Sequence, residues 1–191
     1  MSGAFNAEYG QALSGVINLV TKDGNNDFKG NVMAYVGDYL SNRDEIFWNV
    51  SDVNPVSIQN YEGSISGPVV KDQLFFTNFR YHRNDGYNNG RRDFLVTDIA
   101  SEVEGSGGAE FDITQSGDGS HVSLNPSERI FGQAKLTYRF LSGIKLSYNF
   151  IAEREDFNLY EYNARITPDN NLNRFRRGYT HILSWNHAIS S

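Results

Sequence analysis

From Phe28 to His187 apolar and polar residues alternate in blocks, and the gaps between blocks are long and short by turns. The clearest block sets Ile130, Gly132, Ala134, Leu136, Tyr138 and Phe140 on one face against Gln133, Lys135, Thr137 and Arg139 on the other. After a tight turn at Leu141-Ser142-Gly143, the pattern resumes with Ile144, Leu146, Tyr148, Phe150 and Ala152 against Lys145, Ser147, Asn149 and Glu153. A period of two predicts strands with chemically different faces. Leu74 to Arg83 alternates in the same way. Asn60 to Gly67 places Gly63, Ile65 and Gly67 opposite Glu62, Ser64 and Ser66; Pro68 is expected to stop it, and Lys71-Asp72-Gln73 to turn the chain. Phe28 to Tyr39 predicts an earlier strand with weaker alternation, and Arg177 to Ala188 a last one containing Trp185. Before them all, Gly15 to Lys22 is β-branched and reads as a buried strand, closed by the turn residues Asp23-Gly24-Asn25-Asn26.

The gaps carry as much information as the strands. Residues 40–59, 85–127 and 158–174 are long and polar, whereas the intervening connections are tight. A gap as long as 85–127 is unusual inside a compact soluble domain. It is ordinary on the outer rim of a transmembrane β-barrel, where long loops face outside and short turns face the periplasm. The two clearest strands match the about 9–11 residues that a tilted strand needs to cross a bilayer. Tyr138 and Phe140 fall beside the tight turn, where an aromatic girdle would lie. The expectation is an all-β antiparallel meander forming part of a transmembrane β-barrel, with lipid on the Ile130, Leu136 and Tyr148 side and water on the Lys135 and Asn149 side. The alternative is a soluble carbohydrate-binding or adhesive β-sandwich, its aromatic cross-strand pairs buried between two sheets and its surface Tyr and Trp185 free to stack on sugars.

Composition narrows this further. Aromatics make up 14% of residues while the hydrophobic share is 39%, which suits sheets surfaced with Tyr and Phe rather than a thick Leu/Ile core. With a mean hydropathy of −0.52, no apolar run approaches the roughly 18 residues of a membrane helix. A net charge of −6 disfavours nonspecific nucleic-acid binding, which depends on clustered cations. The Arg91–Arg92 and Arg176–Arg177 pairs read as solvated loop residues. Cysteine is absent, which removes disulfides, thiolate metal sites and Cys nucleophiles. The N-terminus shows no basic region followed by an apolar stretch, and about six strands fall short of the roughly eight in the smallest barrels. Both point to a piece of a larger barrel.

No enzyme is expected. His82, His121, His181 and His187 have no metal-ligand spacing. Asp23, Asn25 and Asp27 mimic the start of a calcium loop, but position six is Phe28 rather than glycine and no acid follows at position twelve. Asp112 and Asp118 read as part of a flexible, solvated loop. Glu153, Glu155 and Asp156 read as a hydrated rim rather than a glycosidase pair, and no GxSxG elbow occurs. Catalytic, cofactor and metal sites are all expected to be absent.

Two stretches carry a family resemblance. Asn6 to Lys22, with Glu8-Tyr9-Gly10, then Gly15, then Val16-Ile17-Asn18 and a close at Thr21-Lys22, looks like the end of the plug domain of TonB-dependent outer-membrane receptors. Glu62 to Phe76, with Gly63, Gly67, Pro68, Lys71, Asp72, Phe75 and Phe76, resembles the early barrel hairpin of the subgroup carrying a carboxypeptidase-regulatory-like N-terminal extension. The resemblance implies residues 1–24 as plug end and 25–191 as the N-terminal part of a plugged barrel of the roughly 22-stranded class. It implies a place in the outer membrane of a Gram-negative bacterium and energy-coupled uptake of a siderophore, cobalamin, glycan or peptide. Ligand contacts would come from the three long loops. Coupling to the TonB complex would run through an N-terminal segment whose motif this sequence does not show, so the chain by itself is not expected to transport. Gly10 and Gly15 permit tight turns and close backbone approach, and Glu8 is a carboxylate that would seek an Arg on the lumen wall.

Overall fold

The computed structural model describes residues 22–105, 107–140 and 143–188. Among these, ten strands form: β1 (Lys29–Gly37), β2 (Ile58–Val70), β3 (Gln73–Asn84), β4 (Asn89–Arg91), β5 (Ala100–Glu102), β6 (Phe111–Ile113), β7 (His121–Ser123), β8 (Ser127–Phe140), β9 (Ile144–Asn158) and β10 (Asn173–His187). Two 3-10 turns, Tyr162–Ala164 and Pro168–Asn170, lie between β9 and β10. The protein is all-β. Its six long strands make one antiparallel sheet in the order β1-β2-β3-β8-β9-β10, so the chain winds as a meander. Long connections gather at one end of this sheet and the short turns at the other. The plug-end strand expected over 15–22 lies almost wholly outside the described residues.

Register fixes the two faces. One cross-strand row runs Gly67, Phe75, Leu136, Tyr148, Leu183; the next runs Lys29, Ser66, Phe76, Lys135, Asn149, Ile182. Burial is the reverse of a soluble sheet. Leu136 is 53% and Tyr148 42% exposed, while Thr137 is 1% and Asn149 3% exposed on the opposite face. Among the described residues no second layer packs against the Leu136 face, as a sandwich would require. The faces are not pure: Phe76 and Ile182 share the polar side, and His181 stands on the apolar side, its Nδ1 2.7 Å from the Tyr148 hydroxyl.

Several boundaries differ from the sequence expectation. Pro68 does not end β2, which continues to Val70 with a register irregularity between Pro68 and Val70. The β1 ladder stops at Ser66, so at Pro68 the strand has one neighbour only, a setting that tolerates proline. The turn is then Lys71-Asp72, with Asp72 at φ 65°, a left-handed conformation that Asp accommodates. At the other end, β10 begins at Asn173, so Arg176 and Arg177 belong to a strand and not to a loop. β9 reaches Asn158 and takes Glu155 and Asp156 into the ladder. The gap at 85–127 holds two short ribbons, β4 with β7 and β5 with β6. Strands of three residues are too short to leave a readable alternation.

Buried apolar side chains fall in two small groups. Val50, Leu124 and Ala164 lie among the long loops, and Leu74 and Phe76 lie near the short turns. Gly24 sits against the second group: a Cβ there would fall 2.6 Å from Leu74 Cβ and 2.6 Å from the Phe75 carbonyl oxygen. Backbone cannot yield as a flexible side chain would. Gly24→Ala is therefore expected to destabilise the folded chain by about 1–2 kcal/mol, read as a lower urea midpoint, and an unchanged midpoint would contradict this close approach.

Candidate functional site

The loop cluster at the long-connection end is ordered by specific contacts. Arg92, just past β4, reaches Asp169 of the β9–β10 loop with both arms of its guanidinium, Nε to Oδ2 at 2.7 Å and Nη2 to Oδ1 at 3.0 Å. Its Nη1 donates to the Ser120 hydroxyl at 2.6 Å and to Asp118 at 3.2 Å. The fork geometry suits arginine and no other cation. The Ser120 hydroxyl and backbone N–H, with Arg92 added, hold the Asp118 carboxyl down to about 2. Hydrogen bonding to Asp169 raises Arg92, and Arg92 in turn lowers Asp169.

A second contact brings in the third loop. The Arg165 guanidinium lies 3.8 Å above the Trp48 ring, and the Trp48 carbonyl accepts a bond from Asn89 Nδ2 at 2.8 Å. Backbone bonds stitch β4 and the residues after it to the β9–β10 loop, with Arg91 N–H to Arg165 O at 2.8 Å and Asp93 N–H to Ile166 O at 3.1 Å. Gly90 allows this approach, since a Cβ there would stand 2.8 Å from the Arg165 oxygen. Beneath these contacts lies a polar hollow of about 300 Å³, lined in part by Asp38, Asn49, Asp52, Asn54 and Asn89. The Asp38 carboxylate is already engaged. Burial pushes it up, but the Asn54 and Tyr39 backbone N–H groups and Ser57 outweigh that and hold it low. Arg92→Gln is expected to untie the loops, with faster protease cleavage within 93–118 at an unchanged strand signature in circular dichroism. Equal cleavage rates would refute the tie.

The polar face carries a second set of charges. Near the short turns Asp23 accepts from Lys135 at 2.6 Å and from Lys145. Toward the long loops, Arg129 meets Glu153 at 2.9 Å, and Arg176 meets Glu155. Arg80 Nε donates to Asn60 Oδ1 at 2.7 Å.

The sequence-predicted residues divide sharply. Glu8, Tyr9, Gly10, Gly15, Asn18 and Thr21 lie outside the described residues. The second motif assembles at the short-turn end, away from the loop cluster. Gly67 seats the Phe28 ring, where a Cβ would meet Phe28 Cδ1 at 2.5 Å, and Phe75 packs on Phe28 at 6.2 Å between centroids. Phe76 is buried on the polar face. Lys71 and Asp72 form the turn, and the Asp72 carbonyl accepts from Arg139 N–H at 2.9 Å. Gly63 sits on the apolar face, where a Cβ would stand 3.9 Å from the Asn31 carbonyl oxygen, an ordinary contact. These residues shape a hairpin.

Of the loop residues, Asp118 is committed to Arg92 and Ser120, whereas Asp112 is exposed in β6. The loop at 85–127, expected to be flexible and solvated around Asp112 and Asp118, carries the Arg92 contacts, and the loop at 40–59 carries Trp48. No sequence signal pointed to these, since Arg92 and Asp169 are far apart in the chain and share no local pattern.

The class that emerges is an all-β, single-layer antiparallel sheet, apolar on its uncovered face and charged on the other, with tied loops at one end. Over 82 residues the chain is 29% identical to the TonB-dependent transporter Oar of Myxococcus xanthus, a match covering 40% of this chain and 8% of that protein. The chain thus spans a small part of the relative it matches, and the likeness supports transport only in that broad sense. No family model matches the chain, and no solved structure matches it.

Proposed function

We propose that this chain forms part of the wall of a TonB-dependent outer-membrane receptor, of the subgroup with a carboxypeptidase-regulatory-like extension, and serves energy-coupled uptake of a ligand rather than catalysis. The observation that carries the proposal is the reversed burial: an exposed Leu136 and Tyr148 face backs onto a polar face with Thr137 and Asn149 buried and the Lys135 side chain 11% exposed, in a single layer. In water such a sheet would hide its apolar side; against hydrocarbon it need not. The dimensions fit. From Ile130 to Phe140 the apolar face extends about 34 Å along the strand at about 3.4 Å per residue, which is about 26 Å in height at a tilt of ~40°, near the ~25 Å band of known barrels.

Aromatic residues sit where the band would end. Tyr138, Phe140 and Trp185 are near the short turns, and the stacked Tyr61 and Tyr81 are toward the loops. Long loops would face outside and meet the ligand, and residues 1–24 would supply the plug end. Among the described residues β1 and β10 each keep one unpaired edge. Hydrocarbon does not tolerate such edges, so the proposal requires further strands against both. In plain buffer the chain is expected to aggregate, and in detergent micelles to recover strand structure. A monodisperse, cooperatively melting protein without detergent would overturn the membrane reading.

A further inference from the structure

The longest connection, between β3 and β8, carries a ribbon that stands apart from the main sheet. β5 and β6 pair only with each other, and all six of their residues are exposed. The ribbon runs on at both ends, through Thr114 N–H to Ile99 O and Val103 N–H to Glu110 O, each at 3.0 Å. Its base is fixed. The Asp98 carboxylate accepts the Leu95 and Ser116 N–H groups, both at 2.9 Å, and Gly117 N–H reaches Asp93 O at 3.1 Å, beside the Arg92 cluster.

On this support the ribbon displays large apolar side chains. Ile99 is 68% exposed, and Phe111 and Ile113 are each 56% exposed. Phe111 and Ile113 share a face, with Glu102 and Ala100 opposite them across the ribbon. A two-stranded ribbon on its own is marginally stable in water. Single exposed apolar residues are ordinary, but a contiguous set rimmed by polar groups marks an interaction surface.

Charge decides the occupant. Between Arg92 and Arg129 the chain has eight Asp and Glu and no Lys or Arg. Those eight exceed the net −6 of the whole chain, so the negative charge is concentrated in this connection. Asp98, Glu102, Glu104 and Asp112 meet no Lys or Arg within ion-pair distance among the described residues. Such a field repels nucleic acid, anionic lipid headgroups and the same ribbon of a second copy, and it attracts a basic segment. We propose that the β5–β6 ribbon is a docking surface for a cationic segment of another polypeptide, its apolar side chains laid on Phe111 and Ile113 and its Lys or Arg side chains beside Glu102 and the neighbouring carboxylates. The proposal goes beyond the barrel reading and does not require it, since the ribbon lies outside the six-stranded sheet.

The test uses the full chain with carbon-13-labelled isoleucine methyl groups, in micelles of an uncharged detergent, or in plain buffer should it prove soluble there. The Ile113 and Ile182 signals are assigned through Ile113→Val and Ile182→Val. Blocked peptides of four Lys-Val, Lys-Ser or Glu-Val repeats are the probes. The Lys-Val peptide is expected to shift the Ile113 signal saturably and to leave that of Ile182, in β10, in place. The Lys-Ser peptide, equal in charge, is expected to bind at least threefold more weakly, and the Glu-Val peptide not at all. Phe111→Ser is expected to weaken the Lys-Val peptide at least fivefold, and Glu102→Gln with Glu104→Gln at least threefold. Equal binding of the Lys-Val and Lys-Ser peptides would leave only a solvated acidic loop and overturns the proposal, as does a Glu-Val peptide that binds as well as either. An Ile113 signal that moves with protein concentration alone assigns the ribbon to a second copy, and one that moves with calcium chloride but not with peptide assigns it to a cation; either result also overturns the proposal, as does a signal that nothing moves. The three peptides are compared on the wild type, so the answer stands even where a variant fails to fold.

Discussion

Leu136→Arg is expected to be the most damaging single substitution on the sheet surface, costing about 2–4 kcal/mol of folded stability in a bilayer or micelle. Leu136 lies near the centre of the Ile130–Phe140 apolar stretch of β8, between Phe75 of β3 and Tyr148 of β9, and on the face opposite Lys135. In a soluble sheet an exposed leucine changed to arginine alters stability by no more than about 0.5 kcal/mol. Against hydrocarbon the guanidinium has no partner and loses its hydration. The control is Asn31→Arg, exposed on the polar side of β1, where an effect within about 0.5 kcal/mol is expected. Urea titrations of refolded protein in lipid vesicles measure both. Equal midpoints for the two variants would mean that the Leu136 face does not meet lipid.

The second large effect concerns Asp23, whose carboxylate sits between the ammonium groups of Lys135 and Lys145. Lys135 is the most enclosed of the three, with 11% of its side chain exposed. Removing the negative charge takes away the carboxylate that stands between the Lys135 and Lys145 ammonium groups. Asp23→Asn is expected to cost about 2–3 kcal/mol, less than a fully buried pair because water screens part of the interaction. The pH dependence follows from the direction of the shift. Burial pushes the Asp23 carboxyl up, but the bonds and charges of Lys135 and Lys145 outweigh it and set the folded value below the ordinary 3.8. A depressed folded value stabilises above the unfolded one and stops doing so as pH falls through the folded one. The gap in midpoint between wild type and Asp23→Asn is thus expected to hold around neutrality and to close below about pH 4. A gap that stays constant down to pH 2 would mean that the carboxylate does not make these contacts.

These two tests probe features of unequal legibility. The Leu136 face was readable because a period of two is a local property: Ile130 through Phe140 alternate regardless of what lies beside them. Short turns were readable for the same reason, Lys71-Asp72 being turn chemistry within two residues. Pro68 misled because its effect depends on whether a neighbouring strand needs its N–H, and β1 had already ended. Arg176 and Glu155 were placed in or beside a loop because their charge masks the alternation that continues through β9 and β10. The ties that order the long loops left no trace at all, for Arg92 meets Asp169 and Trp48 meets Arg165 only after the strands bring their loops to one end.

By itself the sequence determined the strand period, the two chemically opposed faces, and the alternation of long and short connections, all of which depend on neighbours a few residues apart. Tertiary structure decided the register, and with it which charges stand opposite which. It placed Asp23 between Lys135 and Lys145, Arg80 beside Asn60, and Arg92 among three acceptors. Pairing across strands is set by backbone hydrogen bonds between segments distant in the chain, and a shift of one residue would exchange every side chain between the faces.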